Sequence, residues 1–433
     1  MSDTRRYGDV LALAFGTTVA LWAVAYVGRL PVVLAPSSVV LAGLLAVLFL
    51  GGRAAGAIGD HGVWGGVLTG ASSGLLNLLV LGSFLTKTES PNALVPAAGL
   101  FVPGSILVSA AVAGAGALLG VRRKKASREA ADWTALLAVV AVAATVLLVV
   151  AGGLVTSNKA GLAVADWPTS YGYNMFLYPF SRMTGGIYYE HAHRLLGALV
   201  GLTTLTLALR VLFTERRGWV KRLALAALAL VVVQGILGGL RVTQTNLYLA
   251  VVHGVTAQIF LALLVVIAVV LSRTWRSDRD PERTASAGGD RAIATLAVAA
   301  LVVQIALGAV QRHLSLGLMM HIVMAFVAAG IAIAAGARAW GFHPNEPILK
   351  RLGLLLIYGT GFQLMLGFSA WIVRGAFEQG TMPLDWKVAI TTLHQGTGAL
   401  LLATAVCLRA WEARLLVSEP RLHPEPASDI RGR

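Results

Sequence analysis

Four histidines stand near the start of four apolar segments: His193, His253, His321 and His394. They recur at intervals of 60, 68 and 73 residues, with one further apolar segment between each pair. Imidazole is costly to bury in lipid and is a good ligand for iron. Four such residues at one depth, on one side of a membrane, call for two bis-histidine sites. A closed zinc site is a poorer fit, because it draws on cysteine or carboxylate, and few acids lie beside these histidines.

Glu190 breaks the equivalence of the four. It precedes His193 by three residues and so projects from the same helix face. The corresponding positions before the other histidines are Ala250, Leu318 and Thr391. A carboxylate beside an iron centre can relay protons or stabilise a cationic intermediate, which makes one site reactive and the other electron-transferring. The competing role for Glu190 is an ion pair with Arg194, four residues on. His191 is expected to point away, toward the interface. Each histidine also has a small residue four positions later (Gly197, Ala257, Ala325, Gly398), as a porphyrin lying edge-on between helices requires, although glycine and alanine crowd membrane helices generally.

The elements that must carry these residues are membrane helices. Of the 433 residues, 57% are hydrophobic and 13% charged, with a mean hydropathy of +0.76; soluble domains carry about 25% charged residues. Twelve stretches are long enough to span, at about 9–28, 37–53, 62–85, 97–120, 133–154, 187–210, 221–240, 248–271, 292–311, 316–337, 352–372 and 388–409. The fold class is therefore an all-α polytopic membrane protein, and such long apolar runs exclude a β-barrel. The net charge of +15 does not indicate nucleic acid. Arg5-Arg6, Arg122 to Lys125, Arg216 to Arg222, Arg273 to Arg291 and Lys350-Arg351 fall on alternate loops, the positive-inside pattern. It places both termini in the cytoplasm and the histidines two turns or less from the outer face of the cell membrane. No cleavable signal peptide is evident. The single cysteine, Cys407, excludes disulfides, a cysteine-based metal site and covalent haem attachment.

A charged segment at 120–132 separates four leading spans from eight later ones. The first four carry no buried charge with an evident partner, and His61 reads as a solvated loop residue beside Asp60. The later spans repeat a phrase: Gln234-x-x-x-Gly238, Arg241, His253; then Gln304-x-x-x-Gly308, Arg312, His321; then Gln363-x-x-x-Gly367, Arg374, His394. This gives two pseudo-symmetric four-helix bundles, 133–272 and 291–410, each able to hold a cofactor in its core. Residues 1–121 form a four-helix extension of unassigned role and 411–433 a cytoplasmic tail. The polar stretch 273–291 between the halves is expected to be flexible. The outer loop 156–186 holds Gly161-Leu-Ala-Val-Ala-Asp166-Trp167-Pro168, and a second outer loop holds Pro383-Leu-Asp385-Trp386.

Together, Glu190-x-x-His193-Arg194, the three later histidines, the Gln-x-x-x-Gly helices and the Asp166-Trp167-Pro168 loop resemble the haem A synthase family over about residues 133–410. The resemblance implies oxidation of the C8 methyl of haem O to a formyl group by successive hydroxylations, with oxygen from water, giving haem A for cytochrome c oxidase. It implies His193 and His253 as ligands of the substrate haem O and Glu190 at the reacting edge. It implies His321 and His394 as ligands of a haem b cofactor. Arg194, Arg241, Asp166 and Trp167 are candidate propionate or loop contacts. Implied partners are haem O synthase, oxidase assembly factors, an unspecified membrane electron donor and a second copy of the chain; nucleic acid is not among them. The chain departs from the family in lacking a cysteine pair between Val164 and Tyr171, in reading Thr156-Ser157-Asn158-Lys159 where arginine-threonine-glycine-serine is usual, and in its leading spans. The alternative is a di-haem b-type cytochrome that oxidises quinol. Those proteins commonly place two histidines on each of two helices, whereas here four helices carry one each.

Overall fold

In the computed structural model, which describes residues 7–122, 132–380 and 384–419, the chain is predominantly helical. Among the described residues, ten helices are long and apolar enough to cross a membrane: α1 (Gly8–Gly28), α2 (Ser37–Ile58), α5 (Ala98–Val121), α6 (Trp133–Ser157), α7 (Gly185–Thr214), α8 (Gly218–Thr243), α9 (Leu247–Leu271), α11 (Ala287–Leu314), α12 (Leu318–Gly341) and α13 (Pro347–Glu378). The third expected span is broken at Asn77 into α3 (Gly62–Leu76) and α4 (Leu78–Leu85), bent by 52°. The last helix, α14 (Leu384–Leu415), is 32 residues long but is not among the ten; His394-Gln-Gly-Thr-Gly398 interrupts its apolar run.

Eight helices close into two rings. In the first, α6, α7, α8 and α9 contact one another in order and α9 returns to α6. In the second, α11 to α14 do the same. Short connections keep successive helices antiparallel. The α11–α12 turn is residues 315–317 alone, with Ser315 and Gly317 both left-handed. Asp132 caps α6 by accepting from the Ala135 amide, and Asn246 caps α9 by accepting from Tyr248 and Leu249. Pro347 opens α13, where its missing N–H costs nothing. The rings meet where α14 lies against α6 and α9, and α11 against α9.

The extension is built on close helix contacts. Side chains at Gly52, Gly56, Gly70 or Gly116 would strike the backbone of Ala113, Ala117, Ser109 or Phe49, so α2, α3 and α5 pack as small-residue membrane helices do. Its α1 rests on α6 and reaches α7. Contrary to the sequence reading, the extension does contain a buried, partnered charge. Asp9 is 1% exposed and its Oδ2 accepts from the Asp60 amide at 2.8 Å and meets His61 Nδ1 at 3.0 Å. His61 is therefore not a solvated loop residue; it also stacks on Tyr7.

The stretch 273–291 is ordered, not a loose linker. Residues Arg273–Arg276 form the short helix α10, and strand Glu282–Thr284 pairs in parallel with Leu416–Ser418 beyond α14. His343, fully buried, lies 3.2 Å from both Glu282 and Asp290, and Arg338 holds Asp290 at 2.8 Å. Arg279 pairs with Glu346. The expected tail is helical as far as Leu415, with Trp411 buried. Residues 420–433, Arg5, Arg6, Arg123 to Lys125 and Pro383 lie outside the described residues.

Candidate haem-binding site

All four histidines sit toward one end of the two rings, on alternate helices: His193 on α7 and His253 on α9, His321 on α12 and His394 on α14. In each ring these helices are diagonal partners, separated by the other two. Diagonal helices face across a bundle core, so each pair points into its own bundle. Their depths along the helices differ more than the sequence suggested, because α7 and α14 begin earlier: His394 lies about three turns inside α14, His321 one turn inside α12.

The second pair has the spacing of a shared metal. The rings of His321 and His394 are 6.5 Å apart between centres and perpendicular. Two metal–imidazole bonds of about 2.0–2.1 Å, with about 1.1 Å from each nitrogen to its ring centre, predict about 6.3 Å. His193 and His253 lie within electrostatic reach of one another in the first bundle.

Each histidine is seated on a glycine of the preceding helix. A Cβ added at Gly152, Gly238, Gly308 or Gly367 would meet Cε1 of His193, His253, His321 or His394 at 3.1, 3.4, 2.9 and 3.1 Å respectively. In every case the peptide carbonyl four residues earlier, of Leu148, Gln234, Gln304 or Gln363, lies beside the imidazole. A carbonyl that takes Nδ1–H leaves the Nε2 lone pair free for a metal, the usual tautomer control of a ligating histidine. That contact is loose at all four: the Nδ1 atoms of His193 and His253 are shut away without a close hydrogen bond, and those of His321 and His394 face a glutamine side-chain amide. All four side chains are nonetheless only half-buried. The accessible part at His193 and His253 is thus the Nε2 side, as a haem cradle requires. The donor set, the ring spacing and the glycine seats fit two bis-histidine haems; among the described residues no histidine–carboxylate–cysteine cluster offers a different metal site.

The Gln-x-x-x-Gly repeat, visible in the sequence without a role, now has one. The Gln304 amide donates to the His321 carbonyl at 3.0 Å and lies 3.1 Å from Nδ1. Gln363 does the same to His394 at 3.0 and 3.2 Å and is itself held by Thr397. Gln234 instead bonds Thr256, one turn beyond His253. Of the small residues four positions after the histidines, Gly197 faces open space, but Gly398 is closed off by Gln363 at 3.2 Å. That pattern therefore marks no common clearing.

Glu190 is buried on the His193 helix. Its Oε1 takes a hydrogen bond from Arg194 Nη2 at 3.0 Å, so the ion pair foreseen as the competing role does form. Its Oε2 is buried and makes no close hydrogen bond, although the Ala163 amide lies beside the carboxylate. One oxygen is fixed by Arg194 and the other is only loosely held. The rest of the Arg194 guanidinium donates to the carbonyls of Val164, Asp166 and Thr169, at 2.7, 2.6 and 3.1 Å. Arg194 is thus a clamp on the loop as well as on Glu190. Arg241 donates to the Gly161 carbonyl at 3.1 Å and lies within electrostatic reach of Glu190.

Asp166 organises the loop and does not reach into the bundle. Its carboxylate accepts from Thr169 Oγ1, Tyr171 N and Gly172 N at 2.6, 2.6 and 2.9 Å, closing the turn of a two-residue hairpin, Thr169–Ser170 with Tyr173–Asn174. Tyr171 and Gly172 both have positive φ, as such a turn needs. Partial burial raises the Asp166 pKa, but these three bonds outweigh it and leave it below the ordinary value. Trp167 lies flat on Gly239 of α8, where any Cβ would strike its ring. His191 corrects the sequence reading. It is fully buried beneath the folded loop, 3.1 Å from Ser170 Oγ and against Tyr178.

Residues 173–321 match the COX15-CtaA family model, described as cytochrome oxidase assembly protein. The match bears out the resemblance seen in the sequence and supports a role in cytochrome oxidase assembly. It takes in Glu190, Arg194, His193, His253 and the glycine seats on α8 and α11, and it ends on His321. The COX15-CtaA match leaves out His394, which the second ring supplies as the diagonal partner of His321, and it leaves out the extension. No curated protein was found to match the chain.

Proposed function

We propose that this chain is a haem A synthase of the cell membrane, oxidising the C8 methyl of haem O to the formyl group of haem A. The substrate haem O would be held between His193 and His253, with both termini in the cytoplasm and the histidines toward the outer face. With water as the oxygen source, the methyl-to-formyl conversion releases four protons and four electrons. Haem b held by His321 and His394 supplies one-electron exchange when bound. The chain's own residues handle position and protons. Arg194 fixes Glu190 Oε1 and leaves Oε2 only loosely held in a water-poor pocket, where a carboxyl group can take a proton from the reacting edge. The loop 158–184, clamped by Arg194 and Arg241, roofs that pocket against solvent.

The single observation that carries this reading is the asymmetry of two otherwise equivalent bundles: among the described residues, only the first has a buried carboxylate, with one oxygen lacking a close hydrogen bond, one turn from its histidine. The test is pigment analysis after co-expression with a haem O synthase in a host that makes no haem A. Haem A, or its hydroxylated precursor, is the expected product. Bound haem b without either product would identify an electron-transfer cytochrome instead, and bundles free of haem would exclude both.

A further inference from the structure

Arg312 stands in the last turn of α11, four residues after Gly308. The two therefore share a helix face: Gly308 lies under the His321 ring, and Arg312 projects one turn closer to the histidine end. Its Nη2 donates to Ser157 Oγ at 2.6 Å and reaches the Gly153 carbonyl at 3.4 Å, both on α6 of the first bundle. Ser157 Oγ is also 3.0 Å from the hydroxyls of Thr391 and Thr392 on α14. Every partner is neutral. Among the described residues no carboxylate lies within ion-pair distance of this guanidinium, and its Nε is buried without a partner. Its surroundings are themselves cationic: Lys387, which feels Arg312, also feels Lys159 and Arg374, and the nearby acid Glu378 is already paired with Arg374 at the surface.

Arg312 is half-buried, with its Nε shut away and no counter-charge, an arrangement that an anion would complete. The first bundle has such a partner for its arginine, in Glu190. The second does not. His394 lies within electrostatic reach of Arg312. We propose that Arg312 is a carboxylate-binding residue for the haem held between His321 and His394, and that through Ser157 it fastens that haem's edge to the first bundle. The inference rests on the reading of His321 and His394 as haem ligands. A planar fork suits the task, since it can grip a carboxylate and a hydroxyl at once.

The test uses the full-length protein in a His253→Ala background, so that one bis-histidine pair remains, reconstituted with haem b or with its dimethyl ester. The parent should bind the free acid more tightly than the ester by about tenfold to a hundredfold, the range of a charge-assisted hydrogen bond. Arg312→Met, which fills similar space without charge, should erase that preference while leaving ester binding unchanged. Its apo form should unfold at the same or a higher temperature, because a half-buried cation without a counter-charge has been removed. Arg312→Gln serves as a second variant for the same comparison. An undiminished acid-over-ester preference in both variants overturns the proposal; that is also the result if the site holds a lipid phosphate. A parent that shows no spectrum dependent on His321 and His394 overturns the haem reading beneath it, and the two failures are thus distinct.

Discussion

Gly308→Ala isolates the role of the glycine seats. The added Cβ would stand 2.9 Å from His321 Cε1. Carbon atoms rest comfortably at about 3.5–4.0 Å, so the ring must retreat by roughly 0.6–1 Å. A ligating constellation tolerates only about 0.5 Å of displacement. Global stability should fall at most modestly. Overpacking costs about 1–3 kcal/mol, and replacing a helical glycine by alanine returns about 0.8–1 kcal/mol. The net loss is therefore about 0–2 kcal/mol, while the second bis-histidine pair is broken. The assay is the low-spin haem spectrum of the purified protein, by optical absorption and electron paramagnetic resonance, set beside its thermal unfolding. Damage should follow the distances: greatest for Gly308→Ala, smaller for Gly367→Ala and Gly152→Ala at 3.1 Å, and slight for Gly238→Ala at 3.4 Å. Gly330→Ala on α12, with open space around it, is the control. If Gly308→Ala is spectrally indistinguishable from Gly330→Ala, or Gly238→Ala is as damaging as Gly308→Ala, the seats do not set ligand position.

Three further outcomes are expected. Gln363→Leu gives the second bundle the residue type that the first has at Leu148, and it should weaken haem retention by roughly 10–100-fold, as loss of an outer-shell ligand contact does; equal haem content after dialysis would refute the bracing role. Arg194→Ala strips three loop carbonyls and Glu190 of their donor and should cost about 3–5 kcal/mol locally, read as faster protease cleavage within 158–184; an unchanged cleavage rate would mean that the loop holds itself. Asp166 has a lowered pKa in the folded loop. Its contribution is therefore complete above its ordinary pKa of about 4 and lost as pH falls through the lower folded value. Loop protection should stay flat from neutral pH down to about 4 and decline only in stronger acid, whereas Asp166→Asn should shift that profile. A loop that loosens already between pH 7 and 5 would assign control to another group.

How far the sequence could be read depended on whether a feature was local. The histidine helices were legible because apolar length and a repeated ligand type need no tertiary information. The diagonal pairing followed from alternate placement and short connections. The seats were hidden twice over: 48 glycines mask four, and Leu148 breaks the Gln-x-x-x-Gly phrase in the first helix although its carbonyl takes the same place. His191 was misplaced because helix periodicity gives a direction but not what folds over it; the loop hairpin turns an interfacial face into a core. Residues 273–291 looked loose because their partners, His343, Glu346 and the strand at 416–418, lie 50 or more residues away. Asp9 and His61 failed as local readings for the same reason.

The two bundles share one scaffold, and what distinguishes them is the roof. The second bundle closes its α11–α12 corner with three residues. The first carries a folded loop that is held from below by Arg194 and His191, and from the side by the extension. Tyr173 donates to the Thr88 carbonyl at 2.9 Å, the Asn174 amide donates to Asn92 at 2.7 Å, and Phe180 stacks on Phe84. Tyr188, two residues before Glu190, donates to the Tyr26 carbonyl at 2.7 Å. The contacts of the extension therefore converge on the bundle whose buried carboxylate stands beside its histidine, and α1 packs on its α6 and α7. Under the proposed function, a loop that excludes water over Glu190 gains from such bracing, and a corner over the second histidine pair does not. The leading spans thus brace the loop and helix that carry Glu190.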